Sequence, residues 1–157
     1  MGQQRGYSYV VVMFLVAVMS LISVRALRNT LTEERRSKEA ELLATGVAYR
    51  NAIKAYYENA PGTGKIYPET LEALLEDRRG TKIRKHLRKR FRDPVTGSKE
   101  WGLVYLDEEH KQLVGVYSLS ERRPIKRDGF PDELKAFVNA PGYRDWKFVF
   151  APGQEKQ

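Results

Sequence analysis

The sequence predicts an α+β fold: a long N-terminal helix, membrane-spanning in its first half, packed on a small antiparallel sheet. Three observations predict it. No side-chain charge occurs from Gly6 to Val24. Apolar residues then recur at steps of four and three, Leu42, Gly46, Tyr49, Ile53 and Tyr56, until Asn59-Ala60-Pro61-Gly62. Beyond that point, Trp101 to Leu106 and Leu113 to Leu119 read as two strands flanking the charged segment Asp107 to Gln112. At 157 residues there is room for one modest domain besides a membrane segment. The chain carries 28 Lys+Arg against 20 Asp+Glu, a net +8, and no cysteine, which excludes disulfides, thiolate metal sites and cysteine nucleophiles.

In the first element, Val10 to Leu21 is apolar on every side. Tyr7 to Val24 would reach ~27 Å as a helix, close to the ~30 Å hydrocarbon thickness of a bilayer. Ser8, Ser20 and Ser23 do not forbid insertion, because a helical serine can bond back to its own backbone. A whole-chain mean hydropathy of −0.56 requires the remainder to be decidedly polar. The next stretch, Asn29 to Glu41, is rich in Glu, Arg and Lys and reads as a solvated helical stem, with Glu34 and Lys38 as a favourable i,i+4 pair. From Leu42 one face turns apolar, and Pro61 with Gly62 stops the helix, giving one element of about 50 residues from Tyr7 to Asn59.

Tyr67 to Glu76 reads as a short helix with Pro68 in its first turn and Leu71, Leu74 and Leu75 on one side. A basic run follows: Arg78, Arg79, Lys82, Arg84, Lys85, Arg88, Lys89, Arg90 and Arg92, with no acid among them. Within it, Ile83, Leu87 and Phe91 at steps of four are expected to face the core. Asp93-Pro94-Val95-Thr96-Gly97 is turn chemistry. Ser120 to Gly129 is a charged loop and Asp132 to Val138 a short helix. Trp146 to Phe150 reads as a third strand with three aromatics on one face.

Met1-Gly2-Gln3-Gln4-Arg5-Gly6, followed by Tyr7-Ser8-Tyr9-Val10-Val11, resembles the start of type IV prepilins and type II secretion pseudopilins. Tyr67-Pro68 with Leu71 and Leu74, then Leu87 through Arg92-Asp93-Pro94 and Gly97, then Val116-Tyr117-Ser118-Leu119 are similar, in that order, to landmarks of the major pseudopilin. The resemblance implies the lollipop plan of that family. It implies a leader at 1–6, a transmembrane and filament-core helix at 7–27, a helical stem at 28–60, a periplasmic α+β head at 61–150 and a tail at 151–157. A prepilin peptidase would cut between Gly6 and Tyr7, and Tyr7 would then be N-methylated. The other implied partners are inner-membrane lipid and copies of itself or other pseudopilins in a filament supporting protein export.

Three departures accompany the resemblance. The family's usual Glu, four residues after the first aromatic, is Val11 here. Arg25, Arg28, Arg35, Arg36 and Lys38 follow the span while only Arg5 precedes it, so charge alone would put the head in the cytoplasm; the leader implies the periplasm. The loop that binds calcium in the major pseudopilin holds only Glu121 and Asp128 against four cations, so no metal is expected.

No catalytic constellation is legible, and neither an enzyme nor a cofactor is expected. Gly62-Thr63-Gly64-Lys65 is like the end of a phosphate loop but lacks the earlier Gly and the following Ser or Thr. His86 and His110 stand alone and read as surface histidines. The nine cations of Arg78 to Arg92 are a candidate anionic-partner patch. Nucleic acid is not the expected partner, since only Phe91 is interleaved with the charges. Two alternative readings remain: a minor pilin-like component binding DNA or another anionic polymer through this run, or an unrelated periplasmic protein cut after Ala26 by ordinary signal peptidase.

Overall fold

The computed structural model describes residues 5–62, 64–107 and 111–153, with side chains in the first helix described for 7–23, 25 and from 30 onward. One α-helix, α1, runs Arg5–Glu58. A single helical turn, α2, follows at Glu72–Leu75. Three strands, β1 (Gly102–Tyr105), β2 (Leu113–Tyr117) and β3 (Phe148–Val149), form an antiparallel sheet in the order β1-β2-β3. Two 3₁₀ segments, Asp132–Phe137 and Tyr143–Asp145, lie between β2 and β3. The fold is α+β, as the hydrophobic pattern predicts.

Internal contacts divide the chain into two compact units, Met1–Ser37 and Lys38–Gln157. The boundary falls inside the expected stem. In the first unit, the apolar side chains of Tyr7 to Ile22 are nearly all exposed. The hydroxyls of Ser20 and Ser23 donate to the carbonyls of Val16 (2.8 Å) and Met19 (2.9 Å), so neither needs an outside partner. Among the described residues no helix is long and apolar enough to cross a membrane.

The second unit holds the whole hydrophobic core, from Leu42 to Phe150. Leu42, Tyr49, Ile53 and Tyr56 are buried along one face of α1, as their spacing predicts. Gly46 belongs to the same face because the Phe148 ring occupies the space of a side chain; a Cβ there would clash with it. Phe148 meets Phe137 edge-on at 5.0 Å, and Phe137 stacks on Trp146 at 5.5 Å. Trp146, Phe148 and Phe150 all face inward, as alternation predicts. Pro61 and Gly62 (φ +86°) take the chain away from α1.

Four elements differ from the sequence expectation. The helix expected over Tyr67 to Glu76 is only Glu72–Leu75, because Tyr67 and Pro68 are buried in irregular chain and the Pro68 carbonyl accepts the Leu113 N–H at 2.9 Å. Asp132–Phe137 is 3₁₀, with Leu134 off helical geometry. β3 has two residues, since β2 pairs with it only at Gly115 and Val116. Ile83 is exposed, not in the core, whereas Leu87 is buried and Phe91 half-buried. The basic run is not a helix. Its backbone is tied by a two-residue bridge between Asp77 and Arg84, with N–H to O distances of 2.8 and 3.0 Å.

Candidate functional site

The expected processing junction is Gly6-Tyr7. Both residues lie in the first turns of α1, and Tyr7 is 77% exposed. Leader residues 1–4 lie outside the described residues, as do the tail from 154 and the hairpin tip with His110.

The basic run is built onto the C-terminal end of α1. A helix leaves its last four carbonyls without helical partners, and the last turn of α1 has no basic residue of its own to meet them. Cations from the run reach back instead. Arg79 Nη2 donates to the Tyr56 carbonyl at 2.7 Å, and its guanidinium lies 3.3 Å from the centre of the Tyr56 ring. Arg84 Nη1 donates to the Asn59 carbonyl at 3.4 Å.

Arg79 is oriented by Asp77, whose side chain is 3% exposed. Asp77 accepts from Arg79 Nε (2.9 Å), Arg79 Nη2 (2.8 Å) and the Arg79 backbone N–H (3.1 Å). His86 Nε2 adds a fourth contact to Asp77 at 3.0 Å, and the imidazole meets the Tyr56 ring edge-on at 5.6 Å. The Arg79 guanidinium, then His86, hold the Asp77 carboxyl far below the usual carboxylate range against the opposing pull of burial. The same pair raises Arg79. The expectation of a surface histidine is therefore corrected for His86: its side chain is 6% exposed and bonded to a buried carboxylate.

The run is pinned at its middle and its far end as well. His86 and Leu87 both donate their backbone N–H to the Leu74 carbonyl at 2.9 Å. The Phe91 N–H donates to Tyr49 Oη at 3.0 Å, while the Phe91 carbonyl accepts from Tyr49 Oη (3.3 Å) and Trp101 Nε1 (3.0 Å). Burial pushes the Tyr49 phenol up. Beyond Phe91, Asp93 is fully buried and accepts from Ser118 Oγ (2.6 Å), Thr96 Oγ1 (2.9 Å) and the Val95 N–H (2.9 Å), closing the turn that its residues predict.

The nine cations thus divide. Arg78 and Arg90 pair with Glu76 (2.7 Å) and Glu72 (2.8 Å), and Arg92 donates to the Gly97 carbonyl at 3.2 Å. With Arg79 and Arg84, five of the nine are held by groups of their own chain. Lys82, Lys85, Arg88 and Lys89 are exposed and make no hydrogen bond or ion pair to a carboxylate or carbonyl among the described residues; Lys85 is near enough to Glu76 to help lower its carboxyl after Arg78, and Lys89 lies 5.6 Å from the centre of the Phe91 ring.

The loop Ser120 to Gly129 is organised by a residue that sequence reading did not single out. Glu39 of α1, 3% exposed, accepts the Ile125 N–H (2.8 Å), the Lys126 N–H (3.2 Å) and Tyr143 Oη (3.3 Å). A carboxylate thus receives the backbone donors of this cation-rich loop. Among the described residues no three His, Cys, Asp or Glu side chains gather as a metal group.

Comparison of the chain with family models, with curated proteins and with solved structures finds no match.

Proposed function

We propose that this chain is a pseudopilin-like structural subunit. It is anchored in the inner membrane by the first half of α1, has its head in the periplasm, and is drawn into a filament of a type II secretion or related pilus-like system that supports protein export. The observation that carries the reading is the burial pattern of α1. Tyr7 to Ile22 offer apolar side chains on all sides that the chain itself leaves exposed. Covering apolar surface is worth roughly 25 cal/mol per Å², so this segment calls for an apolar environment supplied from outside.

Lipid supplies one such environment and the same helix of sister copies another. Moving between them costs little in hydrophobic terms, and close packing replaces acyl chains. The satisfied hydroxyls of Ser20 and Ser23 suit both settings. The resemblance of residues 1–11 to a prepilin leader and helix start supports retention of the segment after cleavage between Gly6 and Tyr7. On this reading the protein is not catalytic, and its partners are the peptidase, membrane lipid and other subunits.

The test is intact mass with N-terminal sequencing of the mature protein. A chain starting at N-methylated Tyr7 is the expected result. A chain starting at Leu27 would mean the helix is discarded and would sink the proposal.

A further inference from the structure

The compact unit Lys38–Gln157 is electrically split. The run Arg78 to Arg92 holds nine Lys/Arg and no acid, while the rest of the unit holds 14 Lys/Arg against 18 Asp/Glu, so +9 sits beside −4. Ile83 stands inside the run with 62% of its surface exposed. A lone exposed isoleucine needs no explanation. This one is distinguished by its setting, between Lys82 and Lys85, on a loop whose backbone is fixed by the Asp77–Arg84 bridge and the His86 and Leu87 bonds to Leu74. It is a preformed apolar knob flanked by Lys82 and Lys85, neither of which makes an ion pair or hydrogen bond to a carboxylate among the described residues.

The same unit carries a cleft that suits such a knob. It has a volume of about 320 Å³ and lies beside α2 and β1, with half-buried Leu103 and Tyr105 in its wall and Glu72, Arg90 and Glu100 among its lining residues. Glu72 is engaged by Arg90, but Glu100 is exposed and its carboxylate has no partner among the described residues. Two copies of the basic run repel one another, so a contact of run on run is disfavoured. Knob on cleft joins unlike surfaces, and made head-to-tail it propagates from copy to copy as an open fibre or a ring.

We infer that the Gly80–Lys85 loop of one copy docks into the cleft of the next, Ile83 against Leu103 and Tyr105, with Lys82 and Lys85 paired to Glu100. The contact names the head surfaces through which copies associate. It rests on the proposed function only for the claim that copies meet in a filament.

The native chain has no cysteine, so disulfide capture of full-length protein in detergent reports only the introduced pair. The double variant Ile83→Cys, Leu103→Cys should give a ladder of covalent oligomers at low salt. The ladder should shrink at least about tenfold near 1 M salt, where the screening length falls to ~3 Å. Mixing the two single variants should give one dimer band, and each alone none. A dimer from Ile83→Cys alone, or no ladder from the double variant, overturns the inference.

A charge swap guards against misfolded cysteine variants. Glu100→Lys should weaken association about tenfold and added Lys85→Glu should restore it; failure of the swap to restore association also overturns the contact. N-terminal sequencing of the same sample keeps the two ideas apart. A chain starting at Tyr7 without a ladder loses only this contact, whereas a start at Leu27 removes the filament itself.

Discussion

Tyr7 and Tyr49 occupy the same helix, yet one is 77% exposed and the other fully buried. The stretch from Tyr7 to Ser23 is apolar on every side and buries almost nothing within the chain. From Leu42 to Tyr56 only one face is apolar, and that face lies at the centre of the core. The difference teaches that the distribution of apolar residues around a helix, more than their number, decides who covers it. One apolar face implies a neighbour in the same chain, and apolar surface all round implies a surrounding medium or other copies. Three carboxylates of the second unit, Glu39, Asp77 and Asp93, are likewise buried and bonded within the chain.

If the second unit supplies its own core, the largest effect in the molecule should come from emptying that core. Phe148 is fully buried, lies over Gly46 and meets Phe137 edge-on. Phe148→Ala should cost about 3–5 kcal/mol, read as a lower midpoint in denaturant by tryptophan fluorescence. Membrane fractionation of the folded variant should stay unchanged. A stability loss under about 1 kcal/mol would mean that the sheet is not what α1 packs against.

The reverse substitution sharpens the contrast. Val16 is exposed near the middle of the apolar stretch. Val16→Arg should cost ~2.5–3.5 kcal/mol of insertion and deplete the membrane pool, while the denaturation midpoint of the head stays at its wild-type value. Unaltered partitioning into membranes would refute the anchor role of this helix.

The parts of the fold legible in the sequence are those set by periodicity and by Pro and Gly. Leu42 through Tyr56, the stop at Pro61-Gly62, and the inward set Trp146, Phe148 and Phe150 are local patterns with local causes. The parts that were not legible depend on contacts distant in sequence. Nothing in Arg79 or Arg84 announces that they complete the carbonyls of a helix end 23 and 25 residues earlier. His86 looked solitary because its partner, Asp77, is a tertiary contact nine residues away. Ile83 fitted a step-of-four pattern that has meaning only in a helix, and the Asp77–Arg84 bridge holds the chain in another form. Glu39 carried no signal at all, since one acid in a charged stem resembles its neighbours. For the candidate site, the charge of the basic run could be read directly, but not which five cations serve the chain's own carbonyls and carboxylates and which four make no such bond.

Acid offers the smallest of these effects and the most selective. Arg79 and then His86 depress the folded pKa of Asp77, while an unfolded Asp titrates near ~3.9. The folded state therefore binds this proton less readily than the unfolded state. The stabilisation is fully present above the unfolded value and drains away as pH falls below it toward the folded value. Asp77→Asn removes the charge while keeping the shape, and loss of charge-assisted bonds to Arg79 should cost about 2 kcal/mol at neutral pH. The gap between variant and wild-type midpoints should narrow as pH drops from about 5 to 2, because the wild type surrenders what the variant never had. A gap constant over that range would mean that Asp77 acts by shape and not by charge. Tyr7 to Ser23 contain no carboxylate, so membrane partitioning of both proteins should be flat over the same interval, and a helix that left the bilayer in acid would break the separation between the two regions.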